Sequence, residues 1–425
     1  MYSVNYQKMK TKIIITLLLF SSLLFSQNPM TLQECENQFL KNNLYLLANH
    51  YNIDAAQAQV LQAKIWDNPS FGFEVNAWSP NSEKKYFNAG TDGEKAGYIQ
   101  QLIHIGGQRK NQIELAKTNT KIAELDFNML LRDLKFQLRQ NFFAIYYDAQ
   151  SIKEIDKQLE SLKTLIDAYS VQTQKGNVAL KDQVRLQNLF LSLQTDRNEL
   201  MTEIIENRRN LETLLSSEKN IDILPTPTDQ EIAIYQKPIT TKIDELQKIA
   251  IENRPDLQKA EKIIEANNWN LKYQKSLSIP DLTLGAAYDQ RGGAFNNQTD
   301  LTIGLPLPLW NKNKGNIKIA KLLITQADAQ KKQQIVEINN DVKSAYLKYV
   351  EQKNSFEKIK SPVPENLKTV YDGVYNNFSK RNISMLEFTD FLESYNQSII
   401  SMNKIYKSYI TACEEINYSI ASKLF

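Results

Sequence analysis

Few residues of this 425-residue chain are of types that carry out chemistry, and they stand apart from one another. The two histidines, His50 and His104, and the two cysteines, Cys35 and Cys413, do not have the spacing of a metal cluster. A disulfide between the cysteines stays open, although two buried free thiols are the default expectation. No nucleophile is paired with a base in a recognisable motif. The sequence therefore predicts no enzyme, no cofactor and no metal site.

One acidic pair has a spacing that places both side chains on a common surface. Glu387 and Asp390 are three residues apart, and residues at i and i+3 of a helix lie on the same face. Such pairs are also common on helix faces that only meet water. The spacing alone therefore leaves both a functional site and a solvated surface open.

The formal net charge of +3 comes from the start of the chain. Lys8, Lys10 and Lys12 lie there without any acidic residue, so the chain after Ser26 has equal numbers of basic and acidic residues. This balance argues against a nucleic-acid-binding protein, which needs a basic stripe. It also argues against strong attraction of the whole chain to an anionic membrane surface.

The same N-terminal segment is typical of an export signal. A short basic start precedes an apolar run from Ile13 to Phe25, which suits a secretory signal and is too short to span a bilayer. We expect residues 1–26 to be a signal peptide, and Cys35 is too distant from the apolar run to carry a lipid anchor. No later apolar run is long enough for a transmembrane helix.

The rest of the chain is a duplication with an offset of about 205 residues, far longer than the unit of a solenoid repeat. We expect a first repeat over residues 27–216, a mid-height linker over 217–240 and a second repeat over 241–425. Four short motifs recur in the same order: Asn42–Leu46 with Asn253–Leu257, Asp67–Phe71 with Ser278–Leu282, Leu102–Ile105 with Pro306–Leu309, and Lys175–Val178 with Lys380–Ile383.

Each repeat has the same order of predicted elements. A helix begins at a capping box, Thr31–Glu34 or Thr241–Asp244, and ends at Pro69 or Pro280. A strand pair follows, then a very long helix and a return helix whose apolar residues recur at coiled-coil spacing. Pro362 and Pro364 interrupt the second long helix, so we expect a kink or break there.

The strand pairs are predicted over residues 70–78 and 97–105 and over 281–290 and 298–306. Each segment alternates in polarity and has about 9–11 residues, the length of a tilted strand that spans a bilayer. Trp78, Tyr98 and Tyr288 are expected at strand ends, where an aromatic girdle meets the membrane interface. The alternative is an ordinary hairpin that packs on a helix. Because open sheet edges are excluded from lipid, the membrane interpretation needs an oligomer, with eight strands from two copies or twelve from three.

The duplicated order of these motifs resembles the TolC family of outer-membrane efflux proteins. The resemblance covers essentially all of the chain after the signal. The segment Leu305–Gly315 is most similar to the branch that serves heavy-metal pumps of the resistance-nodulation-division type. The residues that carry the resemblance are Asn42–Leu44, Asn253–Leu257, Asn68–Ser70, Leu305–Gly315 and the paired turns at 175–185 and 380–390.

The resemblance implies a mixed, mainly α fold. Duplicated long coiled-coil helices would form a periplasmic α-barrel, and four β-strands per chain would contribute to a trimeric twelve-stranded transmembrane β-barrel. It also implies a homotrimer in lipid of the cell outer membrane that extends into the periplasm. This trimer would dock a periplasmic adaptor and an inner-membrane pump, and it would export metal cations or small toxic compounds. A duct for type I protein secretion and an exported coiled-coil scaffold that is not a channel remain alternatives.

In that family the two helical turns form the periplasmic tip that contacts the adaptor. The plainer interpretation is that these residues only reverse the chain, with Gly176 as a C-cap. The second turn has Arg381 where the first has this glycine, which leaves its geometry open. The implied contact residues are Gly176, Asn177, Val178, Ala179, Leu180, Arg381, Asn382, Ile383, Ser384, Met385 and Leu386.

The resemblance also gives the acidic pair a role. Glu387 and Asp390 match positions where family members carry an acidic pair that lines the closed aperture. Three copies would surround the pore with carboxylates and favour cations. The first repeat has Asp182 and Arg185 at this place, so it cannot form the same ring.

Overall fold

Both halves of the chain contain, in the same order, two consecutive helices, a pair of long strands and a series of further helices. A computed structural model describes residues 28–80, 83–216, 222–292, 294–359 and 363–425. The predicted signal peptide therefore lies outside the described residues. The chain divides into two compact units, and each receives segments from both repeats. The helical unit contains the described residues up to Leu47, Leu130–Asn253 and Ile338–Phe425, and the sheet unit contains Ala48–Met129 and Arg254–Glu337.

The elements of the first half lie close to their predicted bounds, and β2 covers the residues predicted for it. Strand β4 starts three residues earlier than predicted, and a short strand, β3, was not predicted. The elements are β1 (Asn28–Met30), α1 (Leu32–Asn42), α2 (Leu44–Lys64), β2 (Ser70–Trp78), β3 (Tyr86–Asn88), β4 (Glu94–Ile103), α3 (Gln108–Gln174) and α4 (Leu180–Leu215).

The second half repeats this order with two differences. The predicted linker contains a strand and a helix, and the last strand begins three residues before its predicted start. The break predicted in the long helix falls between α8 and α9, and residues 360–362 lie outside the described residues. The elements are β5 (Ile223–Pro225), α5 (Asp229–Tyr235), α6 (Ile243–Asn253), α7 (Pro255–Ser276), β6 (Leu282–Arg291), β7 (Phe295–Gly304), α8 (Lys314–Ile359), α9 (Val363–Ser379) and α10 (Met385–Ile420).

The first helix of each half is divided in two at the duplicated motif. Asn43 has an extended backbone, and its side-chain oxygen accepts a hydrogen bond from the Leu46 amide at 2.9 Å. Asn43 is therefore the N-cap of α2. Arg254 is also extended, and Pro255 starts α7, where its missing N–H has no helical partner to lose. The two breaks therefore have different local causes at equivalent positions.

The starts and ends of these helices differ in part from the predictions. The capping box at Thr31 and Glu34 is confirmed. The box at Thr241 is wrong, because α6 begins at Ile243 and Thr241 is not the residue that precedes it. The following helices end at Lys64 and Ser276, well before Pro69 and Pro280, so the prediction that the prolines end them is wrong: a proline restricts only the residue directly before it.

The long strands of both repeats form one antiparallel sheet in the sheet unit. Its order is β3-β2-β4-β6-β7, so β4 of the first repeat pairs with β6 of the second. The β4–β6 ladder runs from Glu94 opposite Arg291 to Ile103 opposite Leu282. Because directly opposed residues lie on the same face, the registers assign every strand residue to one of two faces.

The two faces of this sheet differ sharply in polarity. One face is mostly apolar and also carries Lys95, Gln101, Gln290 and Thr299; its apolar members are Phe71, Phe73, Val75, Ile99, Ile103, Leu282, Leu284, Ala286, Tyr288, Leu301 and Ile303. The other is mostly small or polar and also carries Trp78 and Leu102; its small or polar members and Tyr98 are Ser70, Gly72, Glu74, Asn76, Glu94, Ala96, Tyr98, Gln100, Thr283, Gly285, Ala287, Asp289, Gln298, Asp300, Thr302 and Gly304. This division is typical of strands that separate lipid from a polar interior.

A network of ion pairs and hydrogen bonds joins four helices of the helical unit. Arg139 of α3 donates to Glu36 of α1 at 2.6 Å and to both carboxylate oxygens of Glu414 of α10 at 3.0 and 2.9 Å. The Tyr235 hydroxyl of α5 donates to Glu414 at 2.6 Å. Burial, set against the attraction of the two carboxylates, leaves the pKa of Arg139 above its ordinary value. The network is therefore charged and internally satisfied.

The predicted linker is structured because its side chains enter this network. Thr228 and Glu231 form a capping box at the start of α5. The helix ends at Tyr235, which is buried, packs edge-to-face on Phe143 with ring centroids 5.3 Å apart, and accepts from the Tyr409 hydroxyl through its backbone oxygen at 2.7 Å. Residues 217–221 of the linker lie outside the described residues.

Within residues 28–80, 83–216, 222–292, 294–359 and 363–425, no helix combines the length and the apolar character needed to cross a bilayer.

Candidate functional site: the paired helical turns

The first turn joins α3 to α4 through five residues. Gly176 has a φ of +76°, and its amide donates to the Thr173 carbonyl at 3.0 Å. The Asn177 amide donates to the Gln172 carbonyl at 2.9 Å. This pattern is a Schellman motif, in which a residue in the left-handed region satisfies the last carbonyls of a helix. Gly176 is thus the C-cap residue that the sequence suggested.

The second turn, between α9 and α10, has the same geometry without the glycine. Arg381 has a φ of +62°, and its amide donates to the Phe378 carbonyl at 2.9 Å. Asn382 donates from its backbone to the Asn377 carbonyl at 2.9 Å and from its side chain to the Asn377 side chain at 3.2 Å. Asn177 makes the matching side-chain bond to Gln172 at 2.8 Å. The duplication therefore extends to individual hydrogen bonds.

The turns differ in how the following helix is capped. Ser384 and Glu387 form a capping box at the start of α10, whereas Ala179 before α4 makes no side-chain cap bond. Each turn thus has one of the two favourable residues, a glycine in the left-handed region or a serine cap. Neither turn has both.

Replacing Arg381 by glycine is expected to stabilise the second turn by about 1 kcal/mol, because a non-glycine residue in the left-handed region is strained. Hydrogen exchange of peptides that cover residues 375–390 measures this change, with protection rising about five-fold. The control is Gly176→Ala, since an added methyl group there meets open space and only the backbone conformation is strained. A loss of protection in Arg381→Gly would show that the Arg381 side chain stabilises the turn more than its φ destabilises it.

An apolar core lies beside both turns, which we call the tip core. It joins α3, α4, α9 and α10 within the helical unit. The Phe378 and Phe388 rings stack with centroids 3.9 Å apart and planes 6° apart, and Tyr169 stacks on Phe378 at 6.1 Å. The turns therefore stand on a packed base. The buried members are Ile155, Leu159, Leu162, Leu186, Leu189, Leu193, Phe378, Phe388 and Leu392.

Most of the predicted contact residues lie on the surface of the two turns. Leu180 and Leu386 are apolar yet 64% and 49% exposed. Val178, Ile383 and Met385 are half-buried, and the last two pack against the tip core. The exposed members are Gly176, Asn177, Ala179, Leu180, Arg381, Asn382, Ser384 and Leu386. The turns thus present two exposed leucines among polar and small groups.

Glu387 and Asp390 are both exposed at the start of α10. The Glu387 carboxylate accepts from the Ser384 amide and from the Ser384 hydroxyl, each at 2.8 Å. The backbone hydrogen bond is the main reason that the pKa of Glu387 lies below its ordinary value, and the hydroxyl adds to the effect. Glu387 therefore caps the helix and carries its negative charge to water.

These sequence features match one protein family. A family model described as "Outer membrane efflux protein" matches residues 36–217 and 246–357, more than half of the chain. The chain belongs to this family. The resemblance noted from the duplicated motifs is confirmed.

Three known proteins illustrate the similarity. The cobalt-zinc-cadmium resistance protein CzcC of Cupriavidus metallidurans is 20% identical over 308 residues, 71% of this chain and 67% of that protein. The toxin and drug export protein A of Aggregatibacter actinomycetemcomitans is 22% identical over 237 residues, and this match spans 53% of this chain and about half (51%) of that protein. The crystal structure of CusC has the same fold, with a TM-score of 0.74 at 16% identity over 94% of this chain and 93% of that chain.

Family membership fixes the coarse function. This outer-membrane efflux protein is a channel component rather than an enzyme, and it resides in the outer membrane and extends into the periplasm. The mainly α fold with its set of strands is that of solved outer-membrane channels.

The predicted aromatic girdle of this outer-membrane efflux protein needs correction. Tyr98 is the fifth of ten residues of β4 and Tyr288 the seventh of ten of β6, so neither lies at a strand end. Tyr98 and Trp78 lie on the polar face, and the Tyr98 ring covers Gly72. Only Tyr288, of these three, faces the apolar side. The strand-end position was wrong for Tyr98, because β4 starts at Glu94, three residues early, and for Tyr288, because β6 continues to Arg291, whereas Trp78 is the last residue of β2 as predicted.

His104 forms ion pairs within the fold, and both cysteines are buried in it. His104, just after β4, has Nε2 at 2.7 Å from Asp67 and Nδ1 at 3.0 Å from Asp281, and so joins three segments of the sheet unit. Cys35 and Cys413 are free and buried, and burial raises the pKa of Cys35 to about 12. Among the residues that the structure describes, no group of His, Cys, Asp and Glu is arranged to hold a metal ion.

Two parts of this molecule that bear on function are not among the residues predicted from the sequence. The stacked Phe378 and Phe388 were not identified, although Phe391 and Tyr395 continue an aromatic helix face that signals packing. The exposure of the segment Leu305–Trp310 was also missed, because apolar residues between prolines resemble any buried turn.

Proposed function

We propose that this outer-membrane efflux protein is the passive exit duct of a tripartite efflux system. In this proposal a homotrimer docks a periplasmic adaptor and, through it, an inner-membrane pump of the resistance-nodulation-division type. Support comes from family membership, from the relative named for cobalt, zinc and cadmium resistance, and from the fold shared with CusC.

The main support for a duct is the division of the sheet into a mostly apolar face and a mostly small or polar face. Among the described residues, no strand pairs with the outer side of β7, and β3 pairs only with the distal end of β2 at Asn76 and Trp78. An open edge is not tolerated in lipid, so the sheet needs neighbours. We infer that β7 of one copy pairs with β2 of the next, and that three copies close twelve long strands with the apolar face toward lipid.

Light scattering of the detergent-solubilised protein and conductance in planar bilayers test this assembly. A trimer that forms single channels is the expected result. A soluble monomer without conductance would contradict the proposal and would favour the non-channel scaffold.

The paired turns are the proposed adaptor contact. Exposed leucines on a packed base suit a protein partner, because a central apolar contact with a polar rim is the usual composition of an interface. Leu180 belongs to the first turn and Leu386 to the second, so one chain offers two related contacts.

Glu387 and Asp390 are the proposed carboxylate ring of the aperture. We expect the double variant Glu387→Gln and Asp390→Asn to lower the cation-to-anion permeability ratio several-fold, measured as the reversal potential in a salt gradient. Glutamine keeps the capping box, which alanine at position 387 would remove. The change therefore alters charge and leaves the start of α10 intact.

Asp182→Asn is the matched control, because Asp182 occupies the corresponding place after the first turn and is followed by Arg185. It should leave the reversal potential close to that of the unmodified channel. An unchanged reversal potential in the double variant would reject the ring.

The proposed cargo is metal cations or small toxic compounds. The toxin and drug export protein A supports a second candidate, a duct for protein secretion. A deletion strain distinguishes them: greater sensitivity to cobalt, zinc or cadmium supports the first, whereas loss of a secreted polypeptide without metal sensitivity supports the second.

A further inference from the structure

The segment Leu305–Trp310 follows β7 and exposes its apolar side chains. Its sequence alternates leucine and proline and ends in tryptophan. Leu307 is 69% exposed and Trp310 is 91% exposed, the highest fraction among the large exposed apolar residues of the described chain. Such a run is too apolar to be explained as an ordinary surface loop.

The backbone of this segment cannot join the sheet. Pro306 and Pro308 have no N–H to donate to a ladder, so strand pairing ends at Gly304. Leu305, Leu307 and Leu309 nevertheless continue the every-second-residue spacing of Leu301 and Ile303, which lie on the apolar face. The apolar character of that face therefore continues beyond the last paired residue.

Other apolar side chains are exposed at the same end of the sheet. The registers place the starts of β2 and β6 at the same end of the sheet as the last residues of β4 and β7. The segments that flank these strand ends, all in the sheet unit, expose Ile65, Trp66, Ile105, Leu277 and Ile279. Together with Leu305–Trp310 they form what we call the junction collar.

The segments that form the junction collar are locally basic, although the chain after Ser26 as a whole has no net charge. Its two acidic residues, Asp67 and Asp281, are both engaged by His104. The Arg109 guanidinium lies 4.3 Å from the centroid of the Trp66 ring. Basic residues exceed acidic ones across the flanking segments 64–69, 104–110, 275–281 and 305–314, and they are Lys64, Arg109, Lys110, Lys275, Lys312 and Lys314.

We propose that the junction collar binds the phospholipid surface of the periplasmic leaflet, with Trp310 at the depth of the headgroups and Lys312 and Lys314 on their phosphates. An apolar run beside a tryptophan and exposed lysines has the composition of a membrane interface segment. A basic cluster near a bilayer gains attraction from anionic lipid over a short range. This inference rests on the proposed function, in which the apolar sheet face meets lipid.

The test uses the full-length protein with Trp310 as its only tryptophan, after replacement of Trp66, Trp78 and Trp269 by phenylalanine. It is reconstituted into vesicles of phosphatidylethanolamine and phosphatidylglycerol that carry a nitroxide either at the headgroup or deep in the acyl chain. We expect the headgroup nitroxide to quench Trp310 several-fold more than the deep one. A variant that keeps only Trp269, a half-buried residue of α7, is the control and should respond to neither.

Two results would overturn the proposal. Quenching of Trp310 by aqueous iodide and by neither lipid probe would place the collar in water. Protection from all three quenchers would show that a neighbouring copy covers it. In the Trp310-only protein, quenching by the headgroup nitroxide should rise with the phosphatidylglycerol content of the vesicles. The double substitution Lys312→Gln and Lys314→Gln should abolish this rise. If the rise persists, the two lysines do not bind the lipid phosphates.

Conductance of the same vesicle preparations separates this inference from the proposed function. Active channels with an unquenched Trp310 contradict the collar alone. Preparations without channels contradict the duct itself.

Discussion

Arg139→Met is expected to destabilise the helical unit by about 3–5 kcal/mol, among the largest effects of any single substitution in this chain. The Arg139 side chain is mostly buried, and it neutralises Glu36 and Glu414, whose side chains are 14% and 4% exposed. Methionine fills a similar volume but leaves two carboxylates facing each other without a cation. Denaturant unfolding of the detergent-solubilised protein, followed by far-UV circular dichroism, measures the loss.

Compensating variants show whether the loss comes from uncompensated charge. Adding Glu36→Gln and Glu414→Gln to Arg139→Met should restore most of the stability, because neutral amides do not repel each other and the amide at position 414 can still accept from the Tyr235 hydroxyl. Arg139→Lys keeps the charge but loses the fork that reaches both acids, so an intermediate loss is expected. A triple variant as unstable as Arg139→Met would instead attribute the loss to packing.

The network also explains why a segment that resembles a linker is ordered. The proline-rich stretch 217–240 has the composition of a linker, and composition is the basis of the prediction. The order of its described part, residues 222–240, comes from Tyr235, whose hydroxyl donates to Glu414, a residue 179 positions along the chain. The local signal that was available is the capping box of Thr228 and Glu231.

Much of the fold could be predicted from the sequence because its signals are local and duplicated. The bounds of β2 follow from strict alternation after Pro69, and the long helix α3 follows from sustained coiled-coil spacing without glycine or proline. The register between β4 and β6 could not be predicted, since it pairs residues of different repeats. The face of Tyr98 follows instead from the β2–β4 register, which places it opposite Gly72, and Trp78 shares that face by alternation along β2.

The positions of the two turns could be predicted from the sequence, whereas the packing beneath them could not. The tip residues could be located because the turns recur 205 residues apart, as Gly176 and Arg381 do. The geometry of the second turn could not be predicted, because Arg381 stands where the first turn has Gly176. The backbone nevertheless forms the same Schellman motif there, despite the strain of a positive φ at an arginine. The packing that supports this strain is a contact across the turn: the aromatic face of α10 signals that Phe388 packs, but nothing local identifies Phe378 as its partner.

Phe388→Ala is expected to destabilise the protein by about 3–5 kcal/mol, because it removes a fully buried ring and leaves a cavity. The stacked Phe378 loses its partner, and α10 loses its contact with α9 next to the second turn. Denaturant unfolding gives the size of the loss. Hydrogen exchange should show it as opening concentrated in residues 375–395, with the sheet unit unchanged.

Leu386→Ala, two residues earlier, separates packing from docking. Because Leu386 is about half exposed, its truncation should change stability by less than about 0.5 kcal/mol. In the proposed duct it should nevertheless weaken binding of the adaptor and restore metal sensitivity to the cell, which an assay of growth on metal salts detects. If Leu386→Ala unfolds the turn as Phe388→Ala does, the leucine is part of the tip core. If it changes neither stability nor growth, the adaptor does not contact this turn through Leu386. The two substitutions on one helical turn thus test separately the base that holds the turns and the surface that they present.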